Sequence, residues 1–467
     1  MRSKALLLAA ACLLAGGGAQ AQAPADTTEE LLLRLKEKGI LTDQEYQALV
    51  RRKAAESAAP AASATPTASA TADTPAQSID PKAVRMAESG VGLMIGEVEV
   101  KLSGSVNGFY VHEDPDGAGP TRTVTGGLAS VGGGSSSSVR NGLLPGFLKV
   151  DVTTTQAGWD VGAHFGIYPG INSVTGLGGA NSAGSPSALS TSGIDFRQTY
   201  LTFGKKSLGE FKIGRDIGLF ASEAILNDIT LLGVGTAAGN ATPSNTSLGR
   251  IGLGYIYTDF QPQITYTSPE FGGLQLSAGM FQPLVTAGGD EVNDTPGFQG
   301  KVSYALKAGQ VTGKLWANAV TQKHDPVGGL PGYTGTGFDV GANLTLGPAG
   351  LTGYYYTGEG IGTTGLFILA TDAAGRKRDS DGFYLQGTYK LGQVTLGTSY
   401  GESNLDLARG EAVSDLVDSN KSWAFQARFG LTEWVTLVGE YIMTESEAHN
   451  GNRAESNTIA IGAIMFF

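Results

Sequence analysis

From Glu97 to Phe467 the chain turns a new face with nearly every residue, and after residue 21 no apolar run reaches the 18 or more residues of a membrane-spanning helix. In "SWAFQARFGL" the row Trp423, Phe425, Ala427, Phe429 and Leu431 opposes Ser422, Ala424, Gln426 and Arg428. "FQGKVSYALK" sets Phe298, Val302, Tyr304 and Leu306 against Gln299, Lys301, Ser303 and Lys307. "GFDVGANLTL" sets Phe338, Val340, Leu344 and Leu346 against Asp339, Asn343 and Thr345. A side-chain period of two belongs to strands. Sixteen segments carry it: 97–112, 146–155, 158–168, 194–204, 209–215, 262–268, 273–283, 297–307, 310–322, 337–347, 350–358, 381–391, 393–402, 421–430, 433–445 and 456–467. Seven tight connections ("QAG", "GKKSLG", "SPEFGG", "KAG", "GPAG", "LGQ", "LTE") alternate with eight long loops. Sixteen antiparallel strands need fifteen links, short on one rim and long on the other. The expected fold is all-β, a 16-stranded antiparallel transmembrane β-barrel with lipid outside and a wet lumen inside. A soluble sandwich would alternate similarly with its apolar face inward, but the turn–loop asymmetry, the strand count and the start of the chain oppose it.

That start, "MRSKALLLAAACLLAGGGAQAQA", has a basic end, an apolar stretch and small residues before a cleavage point near residue 21 or 23, the pattern of a secretory signal. Its removal takes away Cys12, the only cysteine, so the mature chain can form no disulfide. With Arg2 and Lys4 also gone, 30 basic residues stand against 43 acidic ones, a formal charge of −13, which argues against nucleic acid as a partner. Residues 22–53 read as a short helical appendage, a hairpin or coiled-coil segment, in which Gly39 stops the first helix and Thr42 with Glu45 caps the second. Residues 54–79 form an Ala/Pro/Ser/Thr linker with nothing to bury, and 80–96 lead into the barrel.

The last strand, "NTIAIGAIMFF", must close the barrel against the first, which turns Ile459, Ile461, Ala463, Met465 and Phe467 toward lipid. A terminal strand ending on Phe resembles the sorting signal of Gram-negative outer-membrane proteins, which the barrel assembly machinery reads, and so marks Phe467 as an assembly signal. Residues 196–235, "FRQTYLTFGKKSLGEFKIGRDIGLFASEAILNDITLLGVG", resemble the fourth and fifth strands of the Gram-negative porin family, where a Gly-Arg precedes a long third loop. "ITYTSPEFGGLQLSAGMF", 264–281, resembles that family's next hairpin. The resemblance covers residues 97–467 and implies a general trimeric porin: a homotrimer in the cell outer membrane, its N-terminal segment in the periplasm, passing ions and small hydrophilic solutes by passive diffusion.

It also implies that the third loop, about 216–260, folds inward and narrows the pore, its acids facing a basic wall. Carried over, Arg215 is the wall arginine and Asp216, Glu223 and Asp228 are the loop acids. "GRIGLGYIYTDF", 249–260, would add a strand and spoil the even number, so it is assigned to the returning loop. Parity turns Lys149, Lys212, Lys301, Lys314 and Arg428 inward, with Asp151, Asp160, Asp339 and Glu440, whereas Arg197 fits either face. Weak cation selectivity is expected from the acidic mouth and loop acids. The alternatives are a channel selective for an anion or carbohydrate, and a tether in which residues 22–53 hold peptidoglycan. Two patterns invite an enzyme reading and lack its context. "GIGTTG", 360–365, has no following helix, and "GTSYG", 397–401, sits within a strand instead of at an elbow. The four histidines, His112, His164, His324 and His449, have no metal-ligand spacing. No cofactor is expected.

Overall fold

A computed structural model describes residues 84–87, 90–171 and 194–467, apart from 238, 242 and 245. The signal, the helical segment 22–53 and the linker 54–79 lie outside the described residues. The strands are β1 (Val84–Met86), β2 (Val91–Ile95), β3 (Val98–Gly117), β4 (Val131–Gly132), β5 (Ser136–Arg140), β6 (Phe147–Gln156), β7 (Trp159–Pro169), β8 (Ile194–Lys205), β9 (Gly209–Ile217) and β10 (Phe260–Thr267). They continue as β11 (Leu274–Phe281), β12 (Gly297–Ala308), β13 (Val311–His324), β14 (Tyr333–Leu346), β15 (Ala349–Glu359), β16 (Asp379–Leu391), β17 (Val394–Leu405), β18 (Val417–Gly430), β19 (Val435–Ala448) and β20 (Arg453–Phe466).

Sixteen of these make the wall. β3 pairs with β6 along one edge and with β20 along the other, and β6 to β20 pair antiparallel in sequence, so the sheet closes without an open edge. These are the sixteen segments that the period marks, with ends moved by a few residues. β4 and β5 belong to the first long loop, where β5 pairs with the upper part of β3 from Phe109↔Arg140 to Glu113↔Ser136. Within 80–96 the described residues are more than a lead-in. β3 overshoots the end of β20, which stops at Phe466↔Ser105, and β2 covers the exposed edge from Ile95↔Val98 to Val91↔Leu102. β1 then pairs with β2.

The alternation has the expected sense. Trp423, Phe425, Phe298, Val302, Phe338 and Val340 are exposed on the outside, while Ala424, Gln426, Gln299, Ser303 and Asp339 are buried on the inside. The short turns join strands on the rim where β3 begins and β20 ends. In the two-residue turn after Leu346, Gly347 has φ +56° and Pro348 follows, a combination that matches the right-handed twist of the strands and that a side chain at 347 would strain.

The C-terminal residue has a seat of its own. Phe467 and Gly104 exchange both backbone hydrogen bonds at 3.1 Å, and the Phe467 ring lies where a Cβ on Gly104 would be, with Cζ 2.4 Å from that point. Trp434 flanks the ring at 5.9 Å between centroids. Deleting Phe467 should therefore lower the yield of assembled barrel without altering the conductance of pores that form, and Gly104→Val should do the same by blocking the seat. Heat-modifiable mobility on a gel measures the yield, and undiminished levels of both variants would contradict the assignment.

Candidate functional site

Residues 218–259 leave β9 and return to β10 through the inside of the barrel. Among the described residues they contain one short helix, α1 (Ser222–Leu226), and a 3-10 turn, Ile229–Leu232. A loop this irregular leaves backbone groups without ladder partners, and buried groups of that kind must be satisfied elsewhere. The wall supplies them. Gln299 Oε1 accepts from the Leu219 and Phe220 amides at 2.7 and 3.0 Å, and Asp339 Oδ2 accepts from Ala221 at 2.8 Å. Tyr384 donates to the Ala224 carbonyl at 2.9 Å, and Gln386 accepts from Ile229 at 2.7 Å while donating to Asn227 at 2.9 Å. Gln426 donates to the Ile229 carbonyl at 2.9 Å, and Glu440 Oε2 accepts from Val234 and Gly235 at 2.6 and 3.0 Å.

Apolar packing reinforces the same side. Phe220, Ala224, Ile225, Tyr255 and Ile256 of the loop form one buried cluster with Trp316, Tyr354, Tyr356 and Tyr384 of the wall and with Ile361 and Phe367 of the loop between β15 and β16. The inner face is thus not uniformly polar: from β12 to β19 much of it is a core that receives the loop.

This anchoring decides what each charged residue does. Glu223, on α1, is nearly buried, and its Oε1 meets Lys301 Nζ at 3.0 Å and Lys314 Nζ at 2.5 Å. Burial alone would raise the Glu223 carboxyl, but the two ammonium groups hold it below the ordinary carboxylate range. Asp228 does not face a channel. It caps the 3-10 turn, accepting from the Thr230 amide at 2.9 Å, the Thr230 hydroxyl at 2.8 Å and the Tyr255 hydroxyl at 2.9 Å. Burial pushes its carboxyl up against the opposing pull of Arg250. Asp339 and Glu440 point inward but are buried, Asp339 also accepting from Asn318 at 2.8 Å and Glu440 from Gln426 at 2.8 Å. They are loop anchors instead of free pore-lining charges.

Two further expectations are corrected. Arg215 is not a pore residue: it falls in the outward row of β9 with Phe211 and Ile213, opposite Thr199 and Pro262, because the inward row is Lys212, Gly214 and Asp216. Asp216 is a strand residue, not a loop acid; it pairs with Lys212 and accepts from Gln198 at 2.7 Å. Arg197 and Gln198 are both buried, where the pairing of β7 with β8 slips by a residue, so neither simple parity holds for Arg197. Arg428 lies in the inward row of β18 beside Gln426, and Lys149 in that of β6.

Opposite the anchored side, along β6 to β10, the loop and the wall stand apart. A cavity of about 190 Å3 lies between them, with Lys149, Tyr168 and Arg197 on the wall and Leu226 and Leu231 on the loop. A larger one of about 750 Å3 opens toward the turn rim, lined by Glu97, Glu99, Asp160, Glu210, Lys212, His164 and a group of threonines. No group of His, Cys, Asp and Glu able to hold a metal ion occurs among the described residues.

The chain matches the Gram-negative porin family over residues 57–463. It belongs to that family. No curated protein matches this porin in sequence. Among solved structures it is similar to the outer membrane channel DcaP of Acinetobacter baumannii, with a TM-score of 0.61, 17% identity, and coverage of 82% of this chain and 99% of that one. It is also similar to OmpF of Salmonella typhi in complex with daunomycin, at TM-score 0.52 and 12% identity over 81% and 100% of the two chains. OprB of Pseudomonas putida aligns at TM-score 0.52 and 11% identity over 79% and 94%. At these identities the likeness is one of fold.

The porin's enzyme-like patterns resolve into structure. The first two glycines of "GIGTTG" turn the loop after β15 back on itself, Gly360 and Gly362 having φ +63° and +73°, and Ile361 between them packs in the core. Ser399 is buried on β17 with its hydroxyl donating to the Leu385 carbonyl at 3.2 Å. His164 joins Asp151 at 2.5 Å to Thr202 Oγ1 at 3.2 Å, an order that could activate a hydroxyl. The strands around it spend their backbone amides on the ladder, β7 with β6 and β8. Sequence reasoning missed the wall glutamines Gln299, Gln386 and Gln426. Their signal was a large neutral amide at inward parity.

Proposed function

We propose that this porin conducts ions and small hydrophilic solutes by passive diffusion through the space between its inward loop and the β6–β9 wall, with a weak preference for cations. The observation that carries this reading is the uneven anchoring of the loop: its bonds go to β12, β14, β16, β18 and β19 and, at its far end, to β3 and β5, and open cavities lie along β6 to β10. The cation preference draws on Glu97, Glu99, Asp160 and Glu210 around the larger cavity and on the acidic chain as a whole. It does not draw on the loop acids, which are paired or capped. Planar-bilayer recording should give an ohmic conductance that rises with salt concentration without saturating. Saturation by simple salts, or by one sugar, would favour the substrate-selective alternative.

A homotrimer suits the outward Arg215. An arginine at mid-wall in lipid costs about 2–4 kcal/mol, and a neighbouring subunit offers polar partners that lipid tails do not. A band of three barrels' mass on an unheated gel is the expected state.

A further inference from the structure

The two sides of the smaller cavity have opposite chemistry. On the loop side Leu226 leaves 56% of its surface exposed, although it ends a helix whose other residues are buried, and Leu231 lies beside it. On the wall side stand two cations laid on aromatic faces: Lys149 Nζ is 5.4 Å from the centroid of Phe147, and Arg197 Cζ is 5.3 Å from that of Tyr168. Among the described residues no carboxylate comes within ion-pair distance of Lys149, whereas Lys212, Lys301 and Lys314 each have one.

A solute that satisfies both sides has a negative head and an apolar body. We propose that this cleft is a binding site for small amphipathic anions, a single carboxylate or sulfonate on an aryl or short alkyl body. The head meets Lys149 and Arg197, and the body lies between Leu226 and the Tyr168 ring. This rests on the reading of the lumen as an open channel and adds a place where a solute stops within it.

The size and the remaining polar groups narrow the class. About 190 Å3 is below the roughly 300–1,000 Å3 of sites for drug-sized ligands, so one ring or a short chain is the limit. A sugar fits less well, because the amide of Gln198 is already engaged on both ends, by the Tyr168 hydroxyl and by Asp216. Below the cleft the acids of the larger cavity repel an anion, which confines its binding to the cleft.

The test is single-channel recording of the full chain with benzoate added, and acetate and benzamide as the head alone and the body alone. Benzoate should interrupt the current in a saturable manner, at least about tenfold more strongly than either comparison compound. Leu226→Ser should weaken the benzoate effect about tenfold, as loss of a few covered methyl groups requires, and leave acetate as it was. Lys149→Gln should weaken benzoate comparably and remove most of its salt dependence. Leu226 is exposed, so its replacement leaves the fold intact, and heat-modifiable mobility checks both variants. If the channel conducts but benzoate acts like acetate, or both variants bind benzoate as before, the site is refuted and the porin reading stands. A folded barrel that conducts nothing overturns both.

Discussion

Replacing Glu223 by Gln is expected to move the reversal potential in a salt gradient toward anions, with the cation-to-anion permeability ratio falling about two- to fivefold in 0.1 M salt. The cause is release of positive charge, not loss of a negative charge that faces solution. Lys301 and Lys314 both reach one oxygen of Glu223, so the cluster carries a single net positive charge. The Gln side chain keeps the shape and an acceptor, but the cluster becomes doubly positive. With a Debye length of about 10 Å at 0.1 M, an ion crossing the lumen feels that change, and at 1 M, where the length is about 3 Å, the difference should largely vanish. Adding Lys301→Met and Lys314→Met to the variant should reverse the shift. The unaltered porin should show the same drift only in acid, because the Glu223 carboxyl is held below its ordinary 4.5 and stays ionised above it. Asp228→Asn separates the two explanations. That carboxyl is buried under Thr230 and Tyr255, so its replacement should loosen the loop without a selectivity shift of its own. An unchanged reversal potential in Glu223→Gln would mean that the lysine pair lies off the ion path.

The wall of this porin was legible because lipid enforces it. A strand between lipid and lumen must alternate, and a slip of one residue would turn every charge outward, so segments such as 310–322 and 337–347 could be marked to within a few residues of β13 and β14. Arg215 shows what overrode that rule. Lys212 and Arg215 are three apart and cannot share a face of a regular strand; parity turned Lys212 inward, and the Gly-Arg resemblance placed Arg215 there as well, where alternation allows one. The loop's path was illegible for a different reason. Asp339, Gln386 and Glu440 have the same parity and polarity whether they meet water or the amides of a loop, and period two carries no record of which. The same holds for Trp316 and Tyr384, inward aromatics whose partners are the side chains of the loop.

Glu440→Ala is expected to free the far end of the loop and to give the largest change in conductance of any single substitution on the wall. Glu440 is buried on β19 and accepts from the Val234 and Gly235 amides and the Gln426 side chain, three bonds to one charged group. No lysine or arginine of the described residues pairs with it, so its role is to hold backbone. Without the carboxylate, two buried amides and one side-chain amide lose their acceptor, at about 1–3 kcal/mol each unless water replaces it. The barrel does not depend on this group, because β19 is laddered along its length to β18 and β20. Heat-modifiable mobility should therefore survive, while the current becomes larger and noisier and added protease cuts within 233–247. Gly233 offers an independent approach to the same contact. A Cβ there would sit 2.1 Å from Glu440 Oε1, so Gly233→Ala must displace the carboxylate or the loop and should reproduce the noise with Glu440 still present. Glu440→Gln keeps one acceptor and should fall between. A quiet trace and a protease-resistant loop in both Glu440→Ala and Gly233→Ala would show that the apolar contacts around Val234 and Val438, with the hydrogen bonds of Arg140 and Asn240, hold this end without the carboxylate.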